Sequence, residues 1–212
     1  MELWIYPLIV FAVATAASYF WGRRKNRWIA GWIAKESEGA LKPEDTTYVN
    51  IGGTIGYNFI YVLGKPFREA KGTFTLLPRQ SLLYYPFSLL FVRHDRYYLQ
   101  IYLSRRLLGE GHILEKRYYH KIGPTMTKVQ WVNREELTFG NITYVLLWDN
   151  RVLGEKLKGF VQKMAPYGQE LIHFCCYPKN ENFYFYLKPV KGRLKILLET
   201  GKNGLDQFFV PS

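Results

Sequence analysis

The chain opens on a run of twenty residues without a charge, LWIYPLIVFAVATAASYFWG from Leu3 to Gly22. At about 1.5 Å of rise per residue such a helix covers roughly 30 Å, the hydrocarbon thickness of a bilayer. A transmembrane helix is predicted there. Aromatic rings gather at both ends, Trp4 and Tyr6 at one and Tyr19, Phe20 and Trp21 at the other, as rings do at headgroup level. Beyond it, Trp28, Ile29, Trp32 and Ile33 recur at i, i+1, i+4 and i+5, so an amphipathic helix should continue to about Leu41, with Pro43 ending it. Its apolar face is expected either on the membrane interface or on the folded domain. Trp4, Trp21, Trp28 and Trp32 are the interfacial aromatic candidates.

From Thr46 the pattern shortens. TYVNIGG, YNFIYVLG and KGTFTLL are β-branched and aromatic runs cut by glycines, the mark of consecutive strands. Pro78 then suits a helix start, and Leu82, Leu83, Phe87 and Leu90 follow at helical spacing, with a kink expected at Pro86. The stretch Gln80 to Val92 holds 13 uncharged residues, too few to span a bilayer, so it is expected to be buried or interfacial, with burial favoured on length. DRYYLQIYLSRRL, HILEKRYYH, TKVQWV and ITYVLLW read as strands. RVLGEKLKGFVQKMA repeats apolar residues at Val152, Leu153, Leu157, Phe160, Val161 and Met164 with lysines opposite, a surface helix ending near Pro166. ELIHFCCY and FYFYLKPV flank the turn PKNEN as a hairpin, and GRLKILLE fits either a helix or a strand. The fold class is α+β: a single N-terminal transmembrane helix, then a mainly antiparallel sheet with two or three packing helices. The expected division is an anchor over 1–22, a basic juxtamembrane helix over 23–42 and a cytosolic domain over 43–212, with a subdomain split near Pro124.

Composition agrees with a packed core, since 48% of the 212 residues are hydrophobic, and this excludes a disordered or low-complexity chain. An aromatic share of 17% argues against an all-helical bundle. Charge sets the orientation. Only Met1 and Glu2 precede the apolar run, whereas Arg23, Arg24, Lys25 and Arg27 follow it. The run is therefore expected to be an uncleaved anchor, with the N-terminus outside and the domain in the cytoplasm, at the cell membrane or the endoplasmic reticulum. Adjacent Cys175 and Cys176 build no disulfide framework and fit a reducing compartment, as buried thiols on opposite faces of a strand.

No local motif for catalysis stands out. His94, His112, His120 and His173 lack metal-ligand spacing, Gly52, Gly53 and Gly56 lack the residues of a phosphate loop, and Glu135 with Glu136 reads as a solvated turn. The Asn141 sequon is silent in the predicted topology. No cofactor, metal or small-molecule substrate is expected. The remaining signal is charge: the net +12 is half concentrated between Arg93 and Arg134, where nine cationic side chains, Lys128 among them, face three carboxylates. Interleaved tyrosines make Arg93, Arg96, Arg105, Arg106, Lys116 and Arg117 candidate contacts for an anionic surface, either RNA or lipid headgroups, although a solvated face is the commoner cause.

Three stretches, GRRKNRWIAGW, LLPRQSLL and YVLLWDNRVLGEKLKGFVQKMA, together resemble the calumin-like coiled-coil-domain proteins of the endoplasmic reticulum, members of the translocon-associated PAT complex. They follow the family's order after a single N-out helix, spanning roughly residues 1 to 165. The resemblance implies a non-catalytic factor that assists multipass membrane-protein biogenesis beside the translocon or insertase and near the ribosome. The residues given show neither the long acidic extracytoplasmic segment nor the basic coiled-coil tail of that family, so the tail's ribosome contact is not expected to carry over. Contact with ribosomal RNA would then fall to the basic strands. The rival expectations are a membrane-anchored lipid-headgroup-binding or scaffold domain, and an anchored hydrolase whose residues meet only in three dimensions.

Overall fold

The computed structural model describes residues 5–126 and 133–211; Trp4, Lys128 and the expected strand TKVQWV lie outside them. One helix, α1 (Ile5–Leu41), runs without a break through both the apolar run and the juxtamembrane segment, about 55 Å of rod. Its two halves differ. The residues from Ile5 to Trp21 are exposed except for half-buried Ser18, and the stretch is long and apolar enough to cross a membrane. Gly22, Asn26, Ile29, Ala30, Ile33, Ser37, Ala40 and Leu41 form a buried stripe at helical spacing. The tryptophans are divided accordingly: Trp21 and Trp28 stay exposed, the latter beneath the ammonium groups of Lys25 and Lys191, while Trp32 is half-buried.

Nine strands follow among the described residues: β1 (Asp45–Asn50), β2 (Gly56–Val62), β3 (Phe67–Thr75), β4 (Arg96–Leu103), β5 (Gly111–Glu115), β6 (Asn133–Phe139), β7 (Ile142–Trp148), β8 (Leu171–Tyr177) and β9 (Asn182–Leu187). They form one sheet in the order β1-β2-β3-β4-β9-β8-β5-β7-β6, and every pairing is antiparallel. The late strand β9 zips onto β4, so a single sheet joins the N-terminal meander to the C-terminal strands. Four further helices are α2 (Tyr84–Phe91), α3 (Lys116–Met126), α4 (Arg151–Met164) and α5 (Leu194–Asn203).

The main core lies on one face of the sheet, under α4, α5 and the second half of α1. Leu153, Leu157, Phe160, Val161 and Met164 of α4 meet Phe174, Phe183 and Phe185, whereas Val152 turns outward. Glu36 of α1 accepts from the backbone N–H groups of Gly192 and Lys195 at the start of α5, and Lys202 near its end donates to Leu41 O at 2.7 Å. On the opposite face, Leu114, Val145 and Leu147 are covered by Tyr118, Tyr119 and Ile122 of α3.

Three segments differ from the sequence expectation. KRYYH is not strand: the chain leaves β5 at Glu115 and turns at once into α3, whose Tyr118, Tyr119 and Ile122 recur at i, i+1 and i+4. GRLKILLE resolves as helix, with Leu194, Leu197, Leu198 and Gly201 buried. The apolar stretch around Pro86 is largely exposed, because α2 buries only Ser88 while Tyr84 is 72% and Phe91 79% exposed. Pro86 produces no kink. It sits in the first turn, where backbone N–H groups have no intrahelical partner to lose.

The second half of α1 is latched to the sheet just past the apolar run. A Cβ on Gly22 would lie 2.1 Å from the carbonyl oxygen of Arg79, so only glycine lets the two backbones touch. One turn on, the fully buried Asn26 donates to Leu77 O at 2.9 Å and accepts from Arg79 at 3.0 Å. Arg79 in turn makes a two-pronged ion pair with Asp95 (2.9 and 2.8 Å), both side chains only 12–13% exposed. Removing one member strands a buried charge, so Asp95→Ala should cost about 3 kcal/mol in denaturant unfolding of the full chain. Gly22→Val should destabilise through a different route, by forcing α1 off the Leu77–Gln80 segment. Near-wild-type stability in both variants would remove the latch from the account.

Candidate functional site

The latch fixes which end of the sheet lies beside the apolar half of α1. The β1–β2 turn, the β3–α2 connection and the start of β4 belong to that end, as do the end of β9, the start of β8, the end of β5 and the β6–β7 turn. Three features gather on it. The first is a shallow apolar groove of about 800 Å³ between Phe11, Ala12, Thr15, Ala16, Tyr19 and Phe20 of α1 and the Gln80–Leu83 segment. The second is the exposed apolar surface of α2, and Val49 and Ile51 at the β1–β2 turn of the same end are exposed as well.

The third is a cleft of about 670 Å³ along the strand ends. Its cations are Arg93, Lys116, Arg117 and Lys188, with His94 and His120 beside them and Glu115 as the carboxylate in the lining. Arg93 adopts φ 70° just after α2, a left-handed kink that separates the helix from β4. Lys116 and Arg117 open α3. Lys116 is engaged by Glu136 at 2.6 Å, whereas Arg93, Arg117 and Lys188 form no ion pair among the described residues. The field shows on His94: burial and then the charges of Lys188 and Arg96 hold its imidazole below the usual range.

The six basic candidates from the sequence do not form one patch. Arg93, Lys116 and Arg117 meet in the cleft. Arg96 begins β4 nearby and is half-buried. Arg105 and Arg106 follow the other end of β4, roughly 25 Å away along eight strand residues. They are not on a strand. Arg105 stacks over Phe209 and donates to Val210 O, and Arg106 O accepts from Val210 N–H. Arg23, Arg24, Lys25 and Arg27 lie on α1 on either side of the latch residue Asn26, with Arg23 donating to Tyr19 Oη at 2.9 Å.

Local spacing did not reveal a buried cluster of titratable groups under α3. The register sets His112 of β5 opposite Cys175 of β8, and His173, two residues before Cys175, shares their face. His112 Nδ1 lies 3.0 Å from His173 Nε2, and His112 Nε2 lies 3.6 Å from Cys175 Sγ and 3.4 Å from Glu110 Oε1. Tyr118 and Tyr184 pack on His173, and Tyr177 packs edge-on against His112. One donor atom from each of His112, His173 and Cys175 falls within 4.8 Å of the others, a set a thiophilic divalent cation can use. The only sequence signal was the i, i+2 spacing of His173 and Cys175; the 61-residue separation from His112 hid the rest. Burial pushes the Cys175 thiol well up, away from nucleophilic chemistry, and burial with neighbouring His112 drives His173 well down.

The chain matches no protein-family model, and no curated protein matches its sequence.

A histidine kept neutral in the fold takes up its proton on unfolding, so stability is full above the ordinary value of 6.5 and falls as the pH drops below it. His94 acts in the same direction. The melting temperature of the full chain in detergent should therefore fall between pH 7 and pH 5, at most about 1.4 kcal/mol per pH unit for each proton. His173→Gln should flatten that dependence in part. A flat wild-type profile would show that His173 is already charged in the fold.

Proposed function

We propose that this protein is a non-catalytic, membrane-anchored factor that assists the assembly of multipass membrane proteins beside a translocon or insertase. In this reading α1 crosses the bilayer once with its N-terminus outside, since Arg23, Arg24, Lys25 and Arg27 all follow the apolar run. The sheet domain then stands in the cytoplasm.

The observation that carries the proposal is the groove between α1 and the Gln80–Leu83 segment. An exposed apolar groove on a membrane-level helix is a seat for another transmembrane segment. Ala12, Thr15 and Ala16 line it on the α1 side, small residues of the kind that let helices approach closely inside a bilayer. Exposed α2 alongside would shield a partly inserted client from headgroups. Contact with ribosomal RNA falls to Arg105 and Arg106, because they occupy the end of the sheet away from the anchor.

Site-specific photocrosslinking tests this. A benzophenone amino acid at Ala16 or Leu83, in native membranes carrying stalled multipass nascent chains, should give adducts with client transmembrane segments. The same probe at Val152, exposed on α4, should give none. Crosslinks from Ala16 and Leu83 to lipid alone would overturn the proposal.

A further inference from the structure

The basic cleft lies at a defined depth relative to the anchor. Asn26 sits one helical turn past Gly22, where the uncharged run ends, and it holds Arg79 at 3.0 Å. Arg79 holds Asp95, and Asp95 is the next residue after Arg93 and His94, which line the cleft. A short chain of buried contacts thus ties the cleft's rim to the point where α1 leaves its apolar run. With α1 in a bilayer, that point is the headgroup layer.

The chemistry of the rim is amphiphilic in the same order. Phe91 and Val92 directly precede Arg93, and Tyr84, Phe87, Leu90 and Phe91 of α2 are exposed. Apolar surface therefore adjoins the cations Arg93, Arg117 and Lys188, which form no ion pair among the described residues. A free inorganic anion would use only the cations. RNA would use the cations and would gain nothing from the apolar flank, which it would have to approach through the membrane surface. A phospholipid uses both, with its phosphate among the cations and its acyl chains along α2.

We infer that the cleft lined by Arg93, Arg117 and Lys188 is a binding site for the headgroup phosphate of an anionic glycerophospholipid, whose acyl chains lie against α2. This rests on α1 being the membrane anchor, and is independent of any client or ribosome.

The test uses the full chain. Incorporation into pure phosphatidylcholine vesicles, resistant to alkaline carbonate, reports the anchor alone. Native mass spectrometry of the detergent-purified protein, titrated with phosphatidylglycerol or phosphatidylcholine, reports the cleft. Phosphatidylglycerol should be retained about tenfold more tightly, equivalent to ~1.4 kcal/mol. Arg117→Gln with Lys188→Gln should bring it to the phosphatidylcholine level, and Arg105→Gln with Arg106→Gln should leave it unchanged. Both pairs are exposed, and Arg117→Gln alone should give an intermediate loss if the double variant unfolds. Equal retention of the two lipids, or an equal loss in the Arg105/Arg106 variant, would overturn the inference. So would displacement by inorganic phosphate at the lipid's concentration, or tighter cleft-dependent binding of an RNA oligonucleotide. Failure to incorporate into phosphatidylcholine would instead strike at the anchor.

Discussion

A buried, two-pronged ion pair between Arg79 and Asp95, continued onto α1 through Asn26, determines how the rest of the molecule is arranged. Two charges largely withdrawn from water gain little net stability, because desolvation offsets most of their attraction. Their value lies in position. Asp95 also accepts from Leu77 N–H at 2.8 Å, so both sides of the connection from β3 through α2 to β4 are tied to one carboxylate. Gly22 then permits backbone contact at the exit of the apolar run. Glu36 and Leu41 fasten the distal half of α1 to α5, and together these contacts give a long helix one direction relative to the strands.

That direction gives the sheet two chemically distinct ends. At the anchor end, exposed α2 leads directly into Arg93 at an open cationic cleft. At the far end, Arg105 and Arg106 are held by the C-terminal segment at Phe209 and Val210. Charges that are continuous in sequence are thereby parted by the length of β4. A diffuse positive domain would attract any polyanion at long range. In the proposed division of labour, one cluster meets lipid while the other faces the cytoplasm.

Much of this architecture was legible in the residues, and each gap has a physical cause. The uncharged run, the glycine-punctuated strands and the α4 stripe carry their period in sequence, and they appear where that period places them. The α3 boundary was hidden because no breaker separates HILE from KRYYH, and paired tyrosines suit a strand as well as a helix. The exposure of α2 was hidden because a helix apolar all round does not say whether protein or lipid covers it. The His112, His173 and Cys175 cluster depends on a register between strands far apart in the chain, which no local spacing encodes. The cleft likewise draws on five separate segments, and of its four Lys and Arg side chains only Lys116 and Arg117 are adjacent in sequence.

The central claim is that the latch lays the α2 end of the sheet on the bilayer and holds the Arg105 end away from it. Depth-dependent fluorescence quenching measures this directly. A fluorophore on a cysteine at Phe87 or at Arg105, in the full chain reconstituted into phosphatidylcholine vesicles, is exposed to lipids brominated at increasing acyl depth; Cys175 and Cys176 are buried and do not compete for label. The account predicts strong quenching at position 87 by shallow bromines and none at position 105. Equal quenching at the two positions, or none at position 87, would contradict it.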